Sequence, residues 1–144
     1  MFLKSQFWNE PIQLKAQGID VTELRVADSA QLAANGILAS EKVIAENPKL
    51  VGAFVGAFLK GLKYTIENPD DAYTLSATYI PNFADLDKTV QKEILATSAE
   101  MWKADRLGYS EPQAWENMQN VLLEMGLITE KMDLNKAFTN EFVP

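Results

Sequence analysis

Apolar positions in this chain recur mostly at helical spacing, and prolines and short polar residues mark where the helices begin. Pro11, behind Asn9 and Glu10, predicts a short helix through Gln17 that stops at Gly18, the residue that enters a left-handed terminal conformation at least cost. Val21-Thr22-Glu23-Leu24-Arg25-Val26 predicts a strand in which Leu24 and Val26 share a face, with Val21 on the other. Ala27 to Gly36 reads as a loop or loose helical turn, and Ile37-Leu38-Ala39 as a second short buried strand. From Ser40 onward helices dominate. Ser40 is a natural N-cap for a helix over Glu41 to Glu46. Asn47-Pro48 then starts a helix to about Ile66, where Leu50, Phe54 and Phe58 recur at i, i+4 and i+8 beside Val51, Val55 and Leu62. A stripe that broad predicts the central buried helix.

Asn68-Pro69 repeats the device, with Asp70 and Asp71 suited to the positive end of a helix running to about Tyr79 and closed by Pro81. Leu86, Val90, Ile94, Leu95, Met101 and Trp102 define a longer helix, and Arg106-Leu107-Gly108-Tyr109 the turn after it. Ser110-Glu111-Pro112-Gln113 reads as a capping-box start. The helix it opens has Trp115, Met118, Val121 and Leu122 on its apolar face and Gly126 as its stop; a last helix, Leu134 to Phe142, closes the chain. No long repeat, Gly- or Ser-rich linker or like-charge block divides the sequence, so 1–144 reads as a single segment. The predicted class is mostly α with a few short strands, an α/β chain.

Composition narrows the chemistry. The 144 residues are 47% hydrophobic, enough for one core. Lys and Arg number 13 against 20 Asp and Glu, a net charge of −7 that repels phosphate backbones, so nucleic acid is not an expected partner. With no His and no Cys, these residues offer no thiol nucleophile, no imidazole dyad, no disulfide and no thiolate or imidazole metal site. Any metal would have to be a hard, oxygen-bound ion, and neither metal, cofactor nor catalytic residue is expected. The longest apolar run, Leu50 to Leu59, contains two glycines and falls short of the roughly 20 residues of a membrane helix, so no membrane insertion is expected. Met1 to Glu10 lack a long apolar stretch behind a basic start, so the chain reads as carrying no signal peptide of its own.

Most candidate motifs have simple structural readings. Gly52 and Gly56 form a G-x-x-x-G that lets another backbone approach closely. Asp70-Asp71, Asp85 with Asp87, and Glu111 with Glu116 lack Ca²⁺-loop spacing and read as caps or solvated faces. Tyr64, Tyr73, Tyr79, Trp102, Tyr109 and Trp115 read as core packing. Phe7-Trp8-Asn9-Glu10-Pro11 differs, because it combines aromatic area, an amide and a carboxylate just before a helix start. A flat polar ligand can stack on Trp8, exchange hydrogen bonds with Asn9 and donate to Glu10; Asn9 and Glu10 serve equally as helix caps.

Three stretches carry a family resemblance: residues 8–21 (WNEPIQLKAQGIDV), 32–40 (LAANGILAS), and 58–64 (FLKGLKY) followed by Glu67-Asn68-Pro69-Asp70. They resemble the C-terminal part of ABC-transporter solute-binding proteins, in the group that binds thiamine-pyrimidine precursors, aliphatic sulfonates, taurine and nitrate. The resemblance runs from about Phe7 to the C-terminus. It implies a two-lobe, type II periplasmic-binding-protein-like fold that holds a small-molecule solute in the cleft and delivers it to a membrane permease. By this resemblance residues 1–39 are the hinge and cleft-proximal part, and residues 40–144 the helical part that packs on the first lobe. Trp8, Asn9 and Glu10 inherit a ligand-binding role from a matching aromatic-Asn-Glu-like stretch near the cleft. Asp28, near the return to the first lobe, is a further candidate. The signal peptide, first-lobe sheet and most of the second lobe of such proteins have no counterpart here, which implies a fragment or latter part. A fungal relative makes the thiamine pyrimidine by consuming its own histidine with iron, a chemistry these His-free residues do not support. The expected function is capture of a small metabolite, such as a thiamine pyrimidine precursor, by lobe closure in the periplasm or at the cell surface. The alternative is a free-standing helical protein-interaction domain.

Overall fold

A computed structural model of the chain describes residues 9–144. Among the described residues there are six α-helices and three 3₁₀ turns, and no strand. The segment expected as the first strand is irregular until Val26–Asp28 closes into a 3₁₀ turn, with the Ser29 N–H donating to the Val26 carbonyl at 2.9 Å. Ile37-Leu38-Ala39 likewise has no regular structure. Leu24 is 86% exposed and Leu38 99%, so neither stretch is buried. Both strand expectations are therefore corrected. An extended segment is stabilised by a ladder partner for its N–H and C=O groups, and no such partner is present among the described residues.

The contacts divide the chain into two compact units, each assembled from two stretches. The first comprises Met1–Glu23 and Lys60–Leu107. Its helix α1, Asn9–Ala16, ends in a Schellman closure in which Ile19 N–H donates to Leu14 C=O at 3.0 Å and Gly18 N–H to Lys15 C=O at 2.9 Å. Gly18 takes φ +77° there, as its position after the last apolar residue predicts. Helix α2, Glu41–Glu46, belongs to the other unit, and α3, Pro48–Glu67, contributes its last turns to this one. Helix α4, Pro69–Ser76, starts at the expected proline but stops short of Tyr79. Asn68 does not cap it; its Nδ2 donates back to the Tyr64 carbonyl at 3.2 Å. A 3₁₀ turn, Phe83–Asp85, leads to α5, Lys88–Trp102. Asp87 caps α5 by accepting from Thr89 N–H at 2.8 Å and Val90 N–H at 3.0 Å, the cap reading of that carboxylate. Helix α5 packs against α1 and α4, burying Ile12, Ala72, Tyr73 and Ala99.

The second unit comprises Leu24–Leu59 and Gly108–Pro144. Ser40 caps α2 as its hydroxyl accepts from Val43 N–H at 3.3 Å. Helix α6, Pro112–Glu124, ends in the same Schellman closure, with Leu127 N–H on Leu122 C=O at 2.9 Å and Gly126 at φ +67°. The buried residues are Val51, Val55, Ala114 and Gln119. Gln119 is polar but satisfied, its Oε1 accepting from Met132 N–H at 2.6 Å.

Four expectations for this unit need correction. Helix α3 is not a fully buried central helix: Val51 and Val55 are buried, whereas Leu50, Phe54 and Phe58 are 64%, 58% and 49% exposed. Among the described residues one side of the broad stripe is covered and the other is exposed. The G-x-x-x-G is not a close backbone contact among the described residues, since a Cβ at Gly52 would lie 3.8 Å from Phe142 Cδ1 and one at Gly56 would meet nothing within 4 Å. Ser110 does not form a capping box; Glu111 is the N-cap residue, and Ser110 instead pairs through its backbone with Asn140. The last helix reduces to a 3₁₀ turn, Leu134–Lys136, capped by Asp133. Beyond it, Phe138 stacks on Trp115 with centroids 5.0 Å apart and planes 4° from parallel. In the first unit Tyr64, Tyr79 and Trp102, expected in the core, are exposed, Tyr79 at 82%.

Candidate functional site

Of the residues the sequence singles out for ligand binding, Trp8 lies outside the described residues. Asn9 and Glu10 form the first turn of α1, adjacent on a helix whose orientation is set by burial of Ile12. Asn9 Oδ1 accepts from Gln13 Nε2 at 2.6 Å, so its side chain is tied along the helix wall one turn on. Glu10 is exposed, and its carboxylate sits in the turn where the helix dipole favours a negative charge. An ion pair between Lys15 and Glu23 at 2.6 Å ties the end of α1 to the segment after Gly18. Asp28 belongs to the second unit, as the exposed last residue of the Val26–Asp28 turn, with its N–H on the Arg25 carbonyl at 3.2 Å. Asn9 and Glu10 thus form one local pair, a planar amide beside a carboxylate, suited to a ligand with complementary donors and acceptors.

The first unit holds a second polar cluster, on α4 and α5, that sequence reasoning missed. Lys92 ion-pairs with Asp70 and lies 5.6 Å from the Tyr73 ring centroid. Tyr73 and Phe83 are in tilted ring contact, centroids 4.8 Å apart. The Lys92 ammonium, by hydrogen bond and charge, and then Lys88 hold the Asp70 carboxyl below its ordinary value of 3.8. Nearby, the Tyr64 hydroxyl donates to Asp71, whose hydrogen bond and charge push the phenol above 10.0. Tyr73 was readable as core, but neither Lys88, Lys92 nor Phe83 stood out, because two helices and a turn contribute them. The usable signal was i, i+4 spacing of Lys88 and Lys92 on one helix face.

Among the described residues no group of three acidic side chains is placed to hold a metal ion, and no helix is long and apolar enough to cross a membrane. Residues 2–72 match the model of the family described as NMT1/THI5 like, and through this segment the chain belongs to that family. The chain is 43% identical over 141 residues, 94% of its length, to the riboflavin-binding protein RibY of Chloroflexus aurantiacus. A more distant match, 23% identical over 103 residues and 72% of the chain, is the 4-amino-5-hydroxymethyl-2-methylpyrimidine phosphate synthase of Legionella pneumophila. The chain spans 40% of the first relative's length and 31% of the second's.

Proposed function

We propose that this chain is the solute-binding segment of an NMT1/THI5-like protein that captures a small flat heterocycle without transforming it. The observation that carries this reading is the 43% identity to a riboflavin-binding protein across nearly the whole chain. That identity favours riboflavin over a thiamine pyrimidine precursor, which has the support of the distant synthase match alone. Asn9 and Glu10 are the polar contacts, offering an amide and a carboxylate to ring nitrogens and amino or hydroxyl groups, and Trp8 is the stacking surface. Asp28, in the second unit, is a separate candidate carboxylate for ligand binding. Binding in a two-lobe, periplasmic-binding-protein-like cleft and delivery to an ABC permease outside the cytoplasm belong to the whole protein. The division into a cleft-proximal part, 1–39, and a helical part, 40–144, is proposed with it.

The test is a titration of riboflavin, followed by quenching of its fluorescence, and of 4-amino-5-hydroxymethyl-2-methylpyrimidine, followed by calorimetry. Riboflavin is expected to bind saturably. Glu10→Gln and Trp8→Ala are expected to weaken it by about tenfold, the loss of one good polar or stacking contact, while the melting temperature stays within a few degrees. Wild-type affinity for riboflavin in both variants would remove Trp8 and Glu10 from the site.

The exposed apolar side of α3, Leu50, Phe54 and Phe58, favours a second reading as a helical protein-interaction domain. That reading requires self-association or partner capture through this face; a monodisperse monomer by light scattering that also binds riboflavin rules it out.

A further inference from the structure

Within the first unit, α4, the Phe83–Asp85 turn and the start of α5 enclose an open cavity of about 360 Å³, within the range of small-ligand sites. Its apolar wall includes Tyr73, Phe83 and Leu86, and its polar lining is Thr74, Lys88 and Lys92. Lys88 and Lys92 lie one helical turn apart, so both ammonium groups rise from the same side of α5. No carboxylate is among the lining residues; Asp70 ion-pairs with Lys92 and feels the charge of Lys88. The lining itself thus carries two lysines and no carboxylate beside two aromatic rings, with Asp70 paired to Lys92 and with Asp85 and Asp87 flanking in the chain.

We propose that this cavity binds a small planar aromatic anion, its ring against Tyr73 and Phe83 and its charged group between Lys88 and Lys92. Each half of the lining has a reason. The aromatic wall gives apolar and edge-to-face contact that an inorganic anion does not use. The lysines supply mobile point charges, suited to a carboxylate or phosphate without a fixed bidentate geometry. The N-terminus of α5 does not compete for the anion, because the Asp87 carboxylate already engages the Thr89 and Val90 N–H groups. Thr74 Oγ1 donates to the Asp70 carbonyl at 3.0 Å and Lys92 pairs with the Asp70 carboxylate, so a bound anion meets Lys88 directly and shares Lys92 with Asp70. The inference concerns a cluster apart from Asn9, Glu10 and Asp28 and does not rest on the solute reading above.

The experiment titrates the 144-residue chain with benzoate and with phenyl phosphate, using benzyl alcohol as the ring without charge and inorganic phosphate as the charge without ring, all by ligand-observed NMR. Both aromatic anions are expected to bind saturably, about tenfold more tightly than either control. Lys88→Gln, at an exposed position, is expected to weaken both anions about threefold or more without changing the far-UV circular dichroism, and added salt to weaken them further. Phe83→Leu, which keeps the apolar volume but removes the ring, is expected to weaken the aromatic anions and leave inorganic phosphate unchanged. Equal affinity for inorganic phosphate, equal affinity for benzyl alcohol, unchanged binding in Lys88→Gln, or no saturable binding of either anion each overturns the proposal.

Discussion

Asn140 ties the C-terminal segment to the residues just before α6. Its Oδ1 accepts from the Ser110 N–H at 2.8 Å and its Nδ2 donates to the Ser110 carbonyl at 2.9 Å, so one amide satisfies both backbone groups of a residue thirty positions away. Both residues are half-buried, so water replaces the lost partner poorly. Asn140→Ala removes two hydrogen bonds of about 1 kcal/mol each, giving an expected loss of about 2 kcal/mol. For 144 residues the unfolding entropy is about 0.3 kcal/mol/K, which converts that loss into a fall of roughly 6–7 °C in melting temperature. Thermal unfolding followed by circular dichroism measures the shift, and hydrogen exchange at the Ser110 amide, expected to quicken, reports the local event. Asn140→Asp keeps an acceptor for the Ser110 N–H but turns a carboxylate toward the Ser110 carbonyl, so it is expected to rescue little. A melting temperature within 1 °C of wild type together with unchanged exchange at Ser110 would refute the reasoning, because the paired bonds would then contribute nothing beyond what water supplies.

Glycine substitutions separate two kinds of glycine in the same unit. Gly108 sits at φ +83°, and a Cβ there would lie 2.6 Å from Leu59 Cδ2, so Gly108→Ala is expected to cost at least about 1–2 kcal/mol from the left-handed backbone alone. Gly56→Ala meets nothing within 4 Å inside a helix and is expected to stabilise by about 1 kcal/mol; a lower melting temperature would show that another surface packs there. The Asp70–Lys92 pair carries a pH signature. Asp70 has a lowered folded-state pKa, so its contribution to stability is present above its ordinary value near 3.8 and is lost as pH falls through the lower folded value. Lys92→Gln is expected to move the Asp70 titration, followed by carboxyl-carbon NMR, back up toward 3.8; an unmoved titration would assign the shift to another group.

Four helix starts and two helix ends were legible because their determinants are local. Ser40, Pro48, Pro69, Asp87, Gly18 and Gly126 each act on backbone groups within a few residues, through capping, a fixed proline φ or a left-handed closure, so the order of side chains suffices to place them. The family resemblance was legible for a similar reason, since residues 8–21, 32–40 and 58–70 carry it as ordered text. Of the candidate site, Asn9 and Glu10 could be read because they are adjacent in the chain.

Tertiary structure decided what depends on partners. Whether residues 21–26 form a strand turns on an edge to pair with, and alternation of side chains carries no information about that edge. Whether Phe54 and Phe58 are buried turns on what lies opposite α3, which its own periodicity does not specify. Ser110 had the composition of a capping box, yet Asn140, distant in sequence, supplied the better-placed partner. The cluster of Tyr73, Phe83, Lys88 and Lys92 exists only because α4 and α5 fold against each other across the Phe83–Asp85 turn. The sequence by itself determined local backbone closure and kinship; packing between segments decided burial, pairing and the cationic cavity, because those are properties of surfaces brought together and not of residues in order.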